Sequence, residues 1–539
     1  MRPRSLVAAA LSVALSVASA ACGDGINEGV RITKSDSTDT TDGDDPAPSA
    51  TSPDDTTPDD SSPSNTSPSN TSPDAGGDAT PTPDSDEAFG WDDFGDGLET
   101  GSLSVPIDYD DPSKGEFDLF VVRHPAADPS RRIGSLLVNP GGPGFGGAIL
   151  AQIADQVYSD DLVDRFDIIG WDPRGTGLTT PAVDCIDEYD PYFAPSFEGL
   201  TDDEARQLSE DLAVEFAAAC ADNNRDILEH VGTNNSARDI DRIRDALGED
   251  TITYFGFSYG SELGATWATL FPDTVRAAVL DGAADPNADA LEGSLQQSRG
   301  FEQALNTFLA RCSADPSCAF HNDGDAEGAF DALLDSLSAD PVPSEAGRPD
   351  VDPGVAISGV IQAMYSEDLW PQLERALADA QDGDGGGLLE LYDSYFQRRP
   401  DGTYDNSLEA FQVISCSDTE ERLSVEEEDA NAPLYEDAAP RLYGETKGGS
   451  YFCTFFPESD DPRVDITGAD AGPILVVGTT GDPATPLESS ENMAEALENG
   501  VLLVVDAEQH TGYDVNSCSM DTIDAYLIEL AIPDEGTMC

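Results

Sequence analysis

A serine hydroxyl becomes a nucleophile only where a base removes its proton and hydrogen-bond donors hold the oxyanion that follows. The stretch TYFGFSYGSELGATW, 253–267, sets Ser258 between Gly256 and Gly260, after a run of β-formers and before residues able to open a helix. That context makes a sharp strand-to-helix turn that exposes the hydroxyl; the ordinary alternative is a serine in a glycine-rich loop. The chain has four histidines. His124 follows an early apolar run, His230 ends a helical pattern and His321 lies near Cys318, whereas His510 follows the last apolar run, where such a site takes its base. An acid must fix the imidazole tautomer. Asp482, in GTTGDPATP, is preferred, and Asp281, ending VRAAVLDG, is its rival, with strand-end hydrogen bonding as its plainer role. The oxyanion hole would combine the Tyr259 N–H with one from NPGGPGFGG; Pro143 has none, so Gly142 is the first candidate and Gly141 the next. This loop lacks the Gly-Lys-Ser/Thr ending of a phosphate loop and the spacing of a dinucleotide fingerprint. No metal or cofactor is expected.

These residues need a scaffold that brings positions hundreds of residues apart to one edge. SLSVPIDY, FDLFVVRH, GSLLVNPGGPG, FDIIGWDPRGTG, TITYFGFS and VRAAVLDG read as six strands, the last four as unbroken apolar runs of buried parallel type. Helical patterns at 145–156, 202–221, 236–247 and 262–270 alternate with them, which predicts a doubly wound α/β sheet. From 286 to 465 helical patterns dominate, and GPILVVGTTGD and GVLLVVDAEQH then supply two more strands. The expectation is a mostly parallel eight-stranded sheet with a largely helical cap between strands 6 and 7. The folded part divides into a core at 89–285, the cap at 286–465 and a C-terminal core segment at 466–539.

Charge excludes one class of partner. With 107 Asp and Glu against 26 Lys and Arg, the formal charge of −81 repels nucleic acid and anionic lipid. Acidity on this scale suits a saline habitat. The start, MRPRSLVAAALSVALSVASAAC, reads as an export signal over 1–21. Ala18-Ser19-Ala20 fits ordinary cleavage, while Ser19-Ala20-Ala21-Cys22 resembles a lipobox with Ser where Leu is usual, making Cys22 a lipidation site and the cell envelope the location. Free secretion is the alternative. Removing Cys22 from nine cysteines leaves an even set, Cys185, Cys220, Cys312, Cys318, Cys416, Cys453, Cys518 and Cys539, which reads as disulfides in an exported chain. Residues 22–88, rich in Asp, Ser, Thr and Pro, bury too little apolar surface to offset chain entropy and read as a disordered tether.

The chain resembles the tripeptidyl-aminopeptidase-like serine hydrolases of the α/β-hydrolase superfamily, exported bacterial relatives of proline iminopeptidase. NPGGPG, WDPRGTG, ARDIDRIRDALG and YFGFSYGSELGATWATLFPDTVRAAVLDGAADP carry the resemblance, with the tail CSMDTIDAYLIELAIPDEGTMC, over roughly 101–539. One departure is EQHTGY, where the family more often has Gly directly before the His. The resemblance implies hydrolysis of peptides from a free amino terminus, with cap carboxylates holding the substrate ammonium; Asp418 and Glu420, in ISCSDTEE, are candidates. It also supports pairing the cysteines with sequence neighbours: Cys185–Cys220, Cys312–Cys318, Cys416–Cys453 and Cys518–Cys539. An esterase with the same triad, and a surface binding lipoprotein that has kept the fold without activity, stay open as alternatives. A dehalogenase or epoxide hydrolase is disfavoured because Ser258 stands where those have Asp.

Overall fold

In the computed structural model the apolar runs form one nine-stranded sheet in the order β1-β2-β3-β5-β4-β6-β7-β8-β9. Residues 85–539 are described, except 198 and 444–448. The export signal, Cys22 and nearly all of the tether lie outside them. The strands are β1 (Asp92–Gly95), β2 (Leu98–Pro106), β3 (Glu116–His124), β4 (Gly134–Asn139), β5 (Phe166–Trp171), β6 (Ile252–Phe257), β7 (Val275–Asp281), β8 (Ile474–Thr479) and β9 (Gly500–Val505). From β5 to β9 every pairing is parallel, and β1, β2 and β3 add an antiparallel edge. The sheet therefore has one strand more than expected. β1, DDFG, is mostly exposed and carries no apolar signal; it exists because the chain turns at 95–97 and pairs back on β2.

β4, β6 and β8 are buried at every residue, as strands covered on both faces must be. Side chains alternate between two apolar layers. Leu137, Tyr254, Leu280 and Val476 face one, together with α3 (Thr233–Ala246) and α4 (Tyr259–Leu270). Leu136, Phe255, Val279 and Leu475 face the other, with the helix at Ala148–Gln152, here α1, and the C-terminal helix Ser517–Glu529, here α6. α2 (Asp202–Asn223) lies in the excursion between β5 and α3, and opens with a reciprocal capping box between Thr201 and Glu204.

The long insertion falls between β7 and β8, but it packs as two bodies. The helices from Ala290–Ala314, here α5, to Gly386–Tyr395 share their own apolar cluster. The helix Ser407–Asp418 instead contributes Ala410, Val413, Ile414 and Cys416 to the layer beside the sheet, joined there by Phe456 and Ile466. By packing, the helix Ser407–Asp418 and Phe456 sit with the core layer, whereas Ala439 and Leu442 between them return to the insertion's own cluster. Arg348 ties the first of these bodies to the excursion after β5: it pairs with Asp393 at 2.6 Å and with Asp190, from that excursion, at 3.1 Å.

Four disulfides join Cys185–Cys220, Cys312–Cys318, Cys416–Cys453 and Cys518–Cys539, each between sequence neighbours as expected. Such bonds persist in oxidising, extracytoplasmic surroundings.

Two of the sequence blocks meet in the interior. Arg174 of WDPRGTG and Asp239 of ARDIDRIRDALG are both fully enclosed and form a two-point pair, Nε–Oδ2 2.8 Å and Nη2–Oδ1 2.6 Å. Arg174 also donates to the carbonyls of Ile107 and His230, and the Tyr109 hydroxyl donates to Asp239 at 2.7 Å. Breaking one side strands a buried charge. Asp239→Ala is expected to lower unfolding free energy by about 3–5 kcal/mol, measured by urea denaturation, while replacing both residues with apolar ones of similar volume costs much less.

Candidate active site

The site sits at the carboxyl ends of the central strands, where a parallel sheet opens its crevice. β6 runs straight into α4 with Ser258 between them at φ 55° and ψ −127°, a conformation that an L-residue holds only under constraint. The constraint is contact. A Cβ on Gly256 would lie 2.2 Å from the Gly260 carbonyl oxygen, and one on Gly260 2.9 Å from Asn139 Oδ1. The flanking glycines thus let strand and helix cross, and Ser258 takes the sharp turn.

Asp482 and His510 arrive on the loops after β8 and β9. His510 Nδ1 lies 2.9 Å from both Asp482 carboxylate oxygens. Facing a carboxylate, Nδ1 carries the proton, which leaves Nε2 as the acceptor. Nε2 is buried and holds no hydrogen bond. The bond from Ser258 Oγ is not formed; in resting sites it is often long and closes when substrate arrives. Asp482 is fixed in turn by the N–H groups of Ala484 and Thr485, at 2.9 and 2.8 Å. From the insertion, the Tyr365 carbonyl accepts the His510 N–H, and the Tyr365 ring stands edge-on to the imidazole with centroids 5.7 Å apart. Burial pulls the His510 pKa down, but the charge and hydrogen bond of Asp482, with a smaller contribution from Asp281, outweigh it and leave the pKa above its ordinary 6.5.

The loop after β4 supplies donors. Gly141 and Gly142 both have positive φ, 102° and 107°, which bends the loop over Ser258. Asn139 Oδ1 accepts the Gly141 N–H at 2.9 Å, so that donor is spent. The Gly142 N–H has no acceptor among the described residues. Tyr259 opens α4, and its N–H is one of the four that no helix can satisfy internally. Asn139 was not singled out from the sequence. Its signal was its place: the last residue of a buried strand, immediately before the glycine loop.

Asp281, the rival acid, does not bond the imidazole; its carboxylate accepts the N–H groups of Gly512 and Tyr513. Asp418 gives both oxygens to Thr233, one to the backbone N–H at 2.7 Å and one to the hydroxyl, at the uncapped start of α3. Thr233 in turn meets the Tyr259 hydroxyl. Burial and the nearby charge of Glu262 push the Asp418 carboxyl up to about 7. Glu420 is exposed just past the end of the helix Ser407–Asp418. Neither is brought against Ser258, Asp482 or His510. No cluster of His, Cys, Asp and Glu among the described residues is arranged to hold a metal ion.

Residues 134–330 match the family described as alpha/beta hydrolase fold, and 441–539 the family described as TAP-like protein. Serine protease Hip1 of Mycobacterium tuberculosis is 37% identical over 470 residues, covering 82% of this chain and 87% of that protein. The chain belongs to the TAP-like α/β-hydrolases. Carboxylesterase B of the same organism is 36% identical, covering 81% and 85%, and tripeptidyl aminopeptidase of Streptomyces lividans 29%, covering 80% and 81%. The chain is a serine hydrolase.

The imidazole works as a base only when neutral. With its pKa above 6.5, kcat/KM for an uncharged ester is expected to fall with unit slope as pH drops through a value above 6.5, and to be flat over the range just above it. A pH–rate profile measures this directly; activity held constant down to about pH 4 would exclude His510 as the base.

Proposed function

We propose that this chain is an exported serine peptidase that cleaves peptide bonds near a free amino terminus through an acyl-enzyme. The observation that carries the reading is the His510–Asp482 pair set beside a strained, glycine-flanked Ser258. Ser258 Oγ attacks the scissile carbonyl carbon while its proton passes to His510 Nε2, and Asp482 stabilises the imidazolium. The N–H groups of Tyr259 and Gly142 receive the oxyanion. His510 then hands the proton to the departing amine, and water repeats the sequence to free the acyl fragment. Peptide as substrate is supported by the serine protease and the tripeptidyl aminopeptidase among the relatives. An esterase with the same machinery is the second reading, and the carboxylesterase at 36% identity favours keeping it.

With the other eight cysteines paired, Cys22 is the one left for a lipid anchor. The chain from 22 to 84 then acts as a tether that holds the catalytic domain off the membrane, after removal of 1–21; the expected tether ends short of 88, because Ser85–Phe89 is a helix whose Ala88 and Phe89 pack on the core. Asp418 and Glu420 have no part in this reading; the ammonium of the substrate is left to other carboxylates around the cap.

Ser258→Ala is expected to lower turnover by several orders of magnitude with an unchanged melting temperature, and to abolish labelling by a fluorophosphonate. Persistent labelling would overturn the nucleophile, and an unlabelled wild-type protein would favour a binding role without activity. The exopeptidase reading has its own test. Acetylating a good peptide's amino terminus removes a charge-assisted hydrogen bond of about 1.5–3 kcal/mol, so kcat/KM is expected to fall roughly ten- to more than a hundredfold. A simple ester is hydrolysed regardless. Equal cleavage of free and acetylated peptides would move the esterase or an endopeptidase ahead.

A further inference from the structure

Asp281 is fully buried at the end of β7, and no cation among the described side chains pairs with it. Its three acceptor oxygens all serve the site. The main-chain oxygen accepts the Ser258 N–H at 2.8 Å. Oδ1 accepts the Gly512 N–H at 2.7 Å and Oδ2 the Tyr513 N–H at 2.9 Å, two and three residues past His510. The next residue, Gly282, has φ 67°, and a Cβ there would lie 2.9 Å from His510 Cε1. The imidazole therefore rests directly on the Asp281–Gly282 backbone. Thr511, between His510 and the two donors, is itself held at φ 70°.

We infer that Asp281 is a positioning residue for the reaction: its carboxylate anchors the loop that carries His510, and its carbonyl oxygen anchors Ser258, so that one buried residue sets nucleophile and base in register. It is distinct from the acid of the triad, because of the two carboxylates only that of Asp482 touches the imidazole nitrogen. The inference rests on the proposed triad. The two groups that face the carboxylate electrostatically are His510, which favours its anion, and Asp482, which opposes it. Burial dominates and pushes the Asp281 carboxyl up to about 7, with the two loop N–H groups pulling the other way. Its anion in turn raises the affinity of His510 for a proton. Asp281 thus acts on the base both by geometry and by charge.

Asp281→Asn keeps the size but offers one acceptor where two donors wait, and carries no charge. With a simple ester, kcat is expected to fall roughly ten- to a hundredfold, the cost of a slightly misplaced base, with KM little changed. The acid limb of the pH–rate profile is expected to move to lower pH, because a negative charge near His510 is gone. Gly282→Ala, which keeps the carboxylate but crowds Cε1, is expected to lower kcat without that displacement. A merely structural role for Asp281 would reduce the folded fraction and leave the acid limb in place, and that result, or unchanged kcat in a folded Asp281→Asn protein, would overturn the inference. Hydrogen–deuterium exchange on the wild-type enzyme tests the anchor even where the variant does not fold: the Gly512 and Tyr513 amides are expected to be protected like the sheet, and exchange at the rate of an open loop would overturn it. Failure of the triad itself is seen separately, since Ser258→Ala would then still be labelled and active.

Discussion

The close crossing of β6 and α4 is the contact on which the site depends. The strand must pass beneath the first turn of the helix with the Gly256 Cα against the Gly260 carbonyl, and no side chain fits at either position. That crossing forces Ser258 into its positive-φ turn, which costs of the order of 1–3 kcal/mol for a residue with a side chain. The surroundings hold it there. The Ser258 N–H reaches the Asp281 carbonyl in the neighbouring strand, Asn139 packs against Gly260 from the other neighbour, and the Tyr254 hydroxyl donates to the Gly260 carbonyl at 2.7 Å. The same turn points the Tyr259 N–H out of the helix end. Strain and donor are two results of one packing decision.

Much of this was legible because parallel strands announce themselves. Four unbroken apolar runs ending in turn residues could only be central strands, and reactive groups in such sheets lie at the carboxyl ends. Ser258 follows one of these runs, and Asp482 and His510 follow the two later ones, GPILVVGTTGD and GVLLVVDAEQH, so position after a strand picked them out, with Asp281 left as the rival acid. β1 escaped because DDFG is polar and exposed; only its partner makes it a strand. The insertion looked uniform because an amphipathic helix records that it has an apolar face and says nothing about what covers it. Ser407–Asp418 therefore read as cap, although its apolar face packs beside the sheet.

Carboxylates were the least legible groups. In a chain with 107 acidic side chains, sequence offers no means of choosing those that lie inside. Asp418 looked like a ligand for an ammonium because of its neighbourhood, but its partner is Thr233, 185 residues away, and its work is to cap a helix whose own N-cap position, Gly232, has no side chain. Asp281 was visible as a strand-end residue and as a rival acid. What it holds is the backbone beyond His510, which depends on how the loop after β9 returns, and no local pattern encodes that.

The same excess of acid explains where the few cations went. Arg174 is spent on Asp239 in the interior, and Arg348 on Asp190 and Asp393 between the excursion after β5 and the insertion. Arg422 donates to the carbonyls of Cys416, Thr419 and Pro457 around the end of the Ser407–Asp418 helix, where a positive charge also meets the negative end of the helix dipole. These are junctions between segments distant in sequence. Repulsion among exposed carboxylates is long-ranged and weakens as salt shortens the screening length, whereas an enclosed pair such as Arg174–Asp239 is screened far less. Added salt therefore relieves what pushes the surface apart and leaves the internal junctions in place. The enclosed Arg174–Asp239 pair thus keeps its hold as salt rises, while the exposed carboxylates answer to ionic strength.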